Sequence, residues 1–264
     1  MHASMLASLP QPRNDTSDCF LSTCRTAISK PIYKKTQRAV TMAQPKITLY
    51  VDTVSPFGYI AYHVLRNDPV FSKCDITYVP IFLGGVMKAC NNMAPLNIKN
   101  KDKWIDAERT RWASRFNVPM TKNVPEGFPN LTLLTMRALC ALTVLHLGKG
   151  GQAVFTTTLD RLLEAYWVEH KKIYEKGALG EVLESVLGKE EAEKIMAMAG
   201  KEGKEILGKN TDQAVQDGAF GLPYFLATNS KGETEGIWGV DHLAIVAEHL
   251  GLEKPKTSGW KSML

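Results

Sequence analysis

The sequence predicts an α/β protein in which a small sheet with flanking helices is interrupted by a long helical block. Three observations carry that expectation. Two short β-rich runs stand near the start of the body, residues 101–203 contain no β-rich run, and two further strands return before a last amphipathic helix.

The elements follow in order. Lys46–Asp52 (KITLYVD) is rich in β-formers and stops at Thr-Val-Ser-Pro, so it reads as the first strand. Ser55 before Pro56 has the form of an N-cap followed by a proline at the first helical position. Phe57, Ile60, Ala61, Val64 and Leu65 recur at helical spacing, and Asn67-Asp68-Pro69 ends that helix. Asp75–Leu83 is the second strand, with Pro80 near its end or on an edge. Segments near 102–116, 130–147, 152–169, 178–187 and 190–199 read as helices separated by Pro/Gly loops, and one more lies near 204–217. Leu222–Thr228, a turn at Asn229–Gly232, and Glu235–Trp238 form a hairpin. Asp241–Leu250, with Asp241 as N-cap and Gly251 as C-cap, is the final helix. With the helical block set aside, this is the βαβ plus αββα order of a thioredoxin-like fold carrying an inserted all-helical domain.

Composition excludes several function classes. Hydrophobic residues at 44% and charged residues at 22% are those of an ordinary globular protein, and no apolar run is long enough to span a membrane. Residues 1–41 hold six basic and two acidic side chains of the 32 basic and 27 acidic in the whole chain. The remaining body is therefore close to neutral, which argues against a nucleic-acid surface. Five cysteines at irregular spacing form no Cys-x-x-Cys, which argues against a secreted disulfide framework, and no histidine or cysteine has metal-ligand spacing. On that reading the sequons at Asn14 and Asn130 are incidental.

Three places could carry chemistry. At the turn from strand one into helix one, backbone N–H groups and the helix dipole favour negative charge. Redox proteins of this fold place a reactive cysteine there; this chain has Ser55-Pro56-Phe57-Gly58, so dithiol exchange is not available. Locally Ser55 reads as an N-cap, and its hydroxyl could also donate to a thiolate brought by a ligand. Gly218–Tyr224 puts Pro223 at a strand start. The dipeptide alone favours a trans bond; a cis Leu222–Pro223 bond would leave the Leu222 backbone groups free to pair with an extended ligand. Trp238-Gly239-Val240-Asp241 opens the last helix, where Asp241 reads as a cap or as an acceptor for a ligand ammonium group. The sequence contains no Gly-x-Gly-x-x-Gly, P-loop, His-Glu-x-x-His or Gly-x-Ser-x-Gly.

Taken together, Asp52–Phe57, Gly85–Lys88 leading to Asn92, Gly218–Pro223 and Trp238–Asp241 resemble the kappa-class glutathione transferases and the related 2-hydroxychromene-2-carboxylate isomerases, over about residues 46–253. The resemblance implies that Ser55 hydrogen-bonds the glutathione thiolate and that Pro56 and Phe57 complete its turn. It further implies that Asn92 contacts the tripeptide, that Leu222 pairs with the cysteinyl unit beside a cis Pro223, and that Val240 N–H and Asp241 hold the γ-glutamyl end. The family usually has serine where this chain has Val240, so a hydroxyl contact is lost. Lys101 falls near a basic residue that the family uses for the glycyl carboxylate. The implied activity is thiol transfer to a small hydrophobic electrophile, with hydroperoxide reduction as a side activity. Glutathione would be co-substrate, with no prosthetic group and no metal, and the protein a homodimer. The alternatives are a glutathione-dependent isomerase and a non-enzymatic thioredoxin-like binding module.

The expected layout is an N-terminal segment over 1–45, a discontinuous sheet domain over 46–100 and 204–253 that binds glutathione, a helical insert over 101–203 and a tail over 254–264. Ten Ser/Thr and scattered basic residues in 1–41 suit a mitochondrial presequence; a disordered tail, or translation from Met42, is the alternative. Ser262-Met263-Leu264 is a loose variant of a peroxisomal address.

Overall fold

The computed structural model describes residues 43–264 apart from 149, 257, 262 and 264; the expected presequence and most of the C-terminal address lie outside the described residues. Four strands make one sheet in the order β2-β1-β3-β4. They are β1 (Lys46–Val51), β2 (Asp75–Pro80), β3 (Tyr224–Thr228) and β4 (Thr234–Trp238). β1 runs parallel to β2, Lys46 opposite Asp75, and antiparallel to β3, Lys46 opposite Thr228. The parallel pair is joined through α1 (Pro56–Asn67), as a crossover connection requires.

Local chemistry explains where these elements stop. Asp68 caps the end of α1 and its carboxylate then accepts from Val70 N–H, starting a short 3₁₀ turn at Pro69–Phe71. β2 ends at Pro80 because it is an edge strand, where a residue without an N–H is tolerated. The sequence predicts strand as far as Leu83; instead the chain turns at Ile81–Phe82 and enters α2 (Leu83–Ala89). The glycines that disfavour a helix there are needed for close approach. A Cβ on Gly84 would come within 2.8 Å of the Phe82 ring, and one on Gly85 within 3.1 Å of Thr211 Cγ2.

Between α2 and β3 every regular element is helical: α3 (Lys101–Arg115), α4 (Leu133–Leu145), α5 (Gly151–Trp167), α6 (Lys176–Leu187), α7 (Lys189–Met198) and α8 (Glu202–Gln216). One hydrophobic cluster runs from the sheet into this block, joining Ile47, Leu49 and Phe225 to Leu139, Phe155, Leu162 and Ile195. Gly203 lets α8 lie directly on α4, since a Cβ there would sit 2.2 Å from the Arg137 carbonyl oxygen.

The last helix is shorter than expected. Val240–His242 is a 3₁₀ turn and α9 starts only at Leu243, running to His249. Asp241 therefore lies inside that turn and makes no capping hydrogen bond, which corrects its assignment as N-cap. The segment after residue 253, expected as a tail, returns to the core through α10 (Ser258–Lys261). Trp260 is 1% exposed, its Nε1–H donates to Asp68 Oδ2 at 2.7 Å, and its ring packs against Phe71 and Phe116. Among the described residues no helix is long and apolar enough to cross a membrane.

Candidate functional site

The loop between β1 and α1 sets the first part of the site. Ser55 has extended backbone (φ −84°, ψ 112°), and its Oγ accepts from Gly58 N–H at 3.0 Å. The N-cap assignment is thus met in full. Of the other first-turn groups, Pro56 has no N–H, and the Phe57 amide makes no hydrogen bond among the described residues. No acidic residue lies in the first turn of α1 itself; the carboxylate tied to the preceding turn is that of Asp52, which accepts from Val54 N–H. A hydroxyl that accepts one hydrogen bond still has its own proton to donate. Ser55 and Pro56 are buried and Phe57 is half-buried.

The second part comes from residues 218–223. Gly218 has a φ of 96° and lies against Tyr224; a Cβ there would be 2.7 Å from the Tyr224 hydroxyl oxygen. The Leu222–Pro223 bond is cis. The ladder with β1 begins only at Tyr224, and among the described residues neither the N–H nor the C=O of Leu222 makes a hydrogen bond. A Cβ built on Gly58 would lie 3.1 Å from Ser55 Oγ and 3.8 Å from Leu222 Cβ, so the cis-proline loop meets the Ser55 turn.

Three further hydrogen bonds hold this loop. Asn92 donates from Nδ2 to the Phe220 carbonyl at 2.8 Å, and Cys90 Sγ donates to the Ala219 carbonyl at 3.4 Å. Gly239 N–H donates to the Pro223 carbonyl at 3.0 Å, which brings the buried Val240 and the exposed Asp241 to the far side of the same loop. Asp241 Oδ1 lies 3.6 Å from His242 Nδ1. The fold therefore gathers Ser55, Pro56, Phe57, Asn92, Leu222, Pro223, Val240 and Asp241 around residues 218–223. Lys101 is exposed and opens α3, where its amide donates to the Ile98 carbonyl; among the described residues no hydrogen bond ties it to that loop.

Neighbours that sequence reasoning left without a role complete the picture. Asp52, at the end of β1, is buried and receives hydrogen bonds from Val54, Leu83 and Thr132. An acid closing an otherwise apolar strand was the available signal. Phe220 and Trp238, both about half-exposed, pack their rings 5.1 Å apart on the outer side of the loop. Burial pushes the Cys74 thiol up to about 11 and the Cys140 thiol up to about 12, so neither is ionised at neutral pH. The residue at the head of α1 is itself a serine, so thiolate chemistry at the Ser55 turn calls for a thiol that arrives with a ligand.

Comparison with known proteins agrees with this architecture. The chain is 27% identical over 226 residues to glutathione S-transferase kappa 1 of Caenorhabditis elegans, covering 83% of this chain and 98% of that protein. It is 25% identical over 209 residues to glutathione S-transferase kappa 1 of Rattus norvegicus, covering 78% and 90%. Among solved structures, a 2-hydroxychromene-2-carboxylate isomerase shares the fold with a TM-score of 0.63 at 20% identity, over 78% of this chain and 94% of that one. The DSBA-like thioredoxin domain family matches residues 46–251, a span that holds the whole sheet and the Ser55 and cis-proline loops. The chain belongs to the DSBA-like thioredoxin domain family.

Proposed function

We propose that this protein is a glutathione transferase that ionises the thiol of bound glutathione at Ser55 and directs it at a small hydrophobic electrophile. The observation that carries this reading is the meeting of two unfilled groups. A helix-capping serine with a proton left to donate stands against a strand end whose Leu222 amide and carbonyl lack partners. A peptide-like ligand pairing with Leu222 in the extended manner would bring its own side chain to Ser55. A cysteinyl side chain supplies the thiol that the protein lacks at this position. The kappa-class names of the relatives support the same ligand.

The chemistry is then simple. An unperturbed thiol has a pKa of about 8.5 and is mostly protonated at neutral pH. A donated hydrogen bond from Ser55 and the N-terminus of α1 favour the charged form, so the S–H proton leaves to water. The thiolate attacks an electrophilic carbon; with an aryl halide the C–S bond forms and halide departs. An organic hydroperoxide is the other substrate class this thiolate would meet. There the sulfur attacks the terminal oxygen, the O–O bond breaks, the alkoxide takes a proton and leaves as the alcohol, and a second glutathione thiol condenses with the resulting sulfenic acid to give the disulfide and water. Asn92 would contact the tripeptide, the Val240 amide and Asp241 would hold its γ-glutamyl end, and Lys101 its glycyl carboxylate. In this reading the protein acts as a homodimer in mitochondria or peroxisomes.

The test is retention on immobilised glutathione followed by turnover of glutathione with a generic aryl halide. Retention with turnover is the expected result. Retention without turnover would make the protein a binding module, and no retention would remove glutathione as its ligand.

A further inference from the structure

Asp52 places a carboxylate in the interior, 3% exposed, where a charge is costly unless it is hydrogen-bonded. Three donors meet it. Oδ1 accepts from the Thr132 hydroxyl at 2.7 Å and from Val54 N–H at 3.2 Å, and Oδ2 accepts from Leu83 N–H at 2.8 Å. The donors come from three parts of the fold: the turn that leads to Ser55, the first residue of α2, and the residue just before α4. The Asp52 carbonyl adds a fourth tie by accepting from Ser55 N–H at 3.1 Å. The segment led by α2 in turn delivers Cys90 and Asn92 to the cis-proline loop.

We propose that Asp52 is the positioning residue of this site: its ionised carboxylate clamps the Ser55 turn, the start of α2 and the entrance to α4 into one arrangement, and protonation releases the clamp. The functional consequence rests on the glutathione reading above, and the structural one on these hydrogen bonds alone.

The reason lies in what each neighbour can do. A carboxylate accepts from all three donors, and charge assistance strengthens each bond. A carboxylic acid loses that assistance and directs its own O–H at Thr132, the only one of its three donors with a lone pair to receive it. The Thr132 contact then reverses, and the two amides are left on a weakened acceptor. Burial pushes the Asp52 carboxyl up to about 6, against the lowering pull of its hydrogen bonds, so a mild acidification reaches it. The groups that face it add no cation. The Val54 and Leu83 amides and the Thr132 hydroxyl do not titrate in this range. Tyr166, on α5, is a phenol held above its ordinary range by burial first and in part by the Asp52 charge. Among the described residues no lysine, arginine or histidine pairs with Asp52.

The experiment uses the full chain, labelled with ¹⁵N, and follows the Val54, Ser55 and Leu83 amide signals against pH in the wild type, Asp52→Asn and Thr132→Val. In the wild type they should move together with a midpoint near 6, the value given by Asp52 burial. Asp52→Asn should abolish that transition. Thr132→Val removes a donor to the charged form and should raise the midpoint by about one pH unit. If Asp52→Asn does not fold, Thr132→Val decides alone. Turnover of glutathione with an aryl halide should show an acid limb at the same midpoint, absent in Asp52→Asn and shifted upward in Thr132→Val. A merely structural role would scale the rate and leave the limb in place. Amides that stay flat through this range in the wild type, or an unmoved midpoint in Thr132→Val, would overturn the clamp even if glutathione is turned over. Titrating amides in a protein that neither binds nor turns over glutathione would uphold the clamp and retire the glutathione reading.

Discussion

The Ser55 hydroxyl accepts one hydrogen bond and has another to give, so capping and thiol binding use different halves of the same group. Ser55→Ala should therefore cost about 0.5–2 kcal/mol of stability through the lost cap, read by chemical denaturation, whether or not glutathione is the ligand. Its effect on rate is separate: losing a hydrogen bond to a charged partner is expected to slow turnover at neutral pH on the order of ten- to a hundred-fold. Asp52 makes a prediction of its own for stability. Its carboxyl sits near 6 in the folded protein against an ordinary value of 3.8, so folding favours its protonated form. Below the ordinary value both states are protonated and there is no penalty. Between the two values the unfolded chain ionises first, and above about 6 the penalty is complete, at about 3 kcal/mol. This group thus makes the protein more stable as pH falls from neutral towards 4, and Asp52→Asn should remove that part of the trend in unfolding measured at both ends. Ser55 was legible because its cap and proline are neighbours in sequence. Asp52 was not, since two of its donors lie 31 and 80 residues away.

Elements were legible where their signal is local. β1, α1 and the hairpin follow from β-rich runs, one cap and one turn, and the helices of the block from the Pro/Gly loops that separate them and the absence of β-rich runs between. α2 was missed because Gly84 and Gly85 weaken any helical reading, and their reason for being there is contact with Phe82 and Thr211. The shortened α9 was missed because the Asp241 signal competes with a 3₁₀ turn that buries Val240. Two substitutions test the packing that decides these cases. Gly203→Ala, which drives a methyl group into the Arg137 carbonyl, should destabilise the protein by roughly 1–3 kcal/mol in chemical denaturation. Trp260→Ala should cost about 3–5 kcal/mol, since it removes a buried indole together with its hydrogen bond to Asp68. An unchanged unfolding midpoint in the Trp260 variant would mean that the terminal segment adds nothing to the core.

At the scale of the whole molecule, the sheet and the helical block share one hydrophobic cluster, so a lesion in either should lower a single unfolding transition. The first 41 residues have no periodic apolar pattern, and β1 starts only at Lys46. A chain beginning at Met42 should melt at nearly the same temperature as the full one, and a drop of many degrees would mean that the segment supports the fold. Fluorescent fusions to residues 1–41 and to the last residues would separate the two proposed organelle addresses. The activity assigned to the molecule comes down to the state of one sulfur atom. The direct measurement is the thiolate absorbance of bound glutathione against pH, for the wild type and Ser55→Ala. The Ser55 assignment predicts ionisation well below the ordinary thiol range of about 8.5 in the wild type and a curve displaced to higher pH in the variant. Superimposable curves would contradict it and leave Ser55 as a helix cap alone.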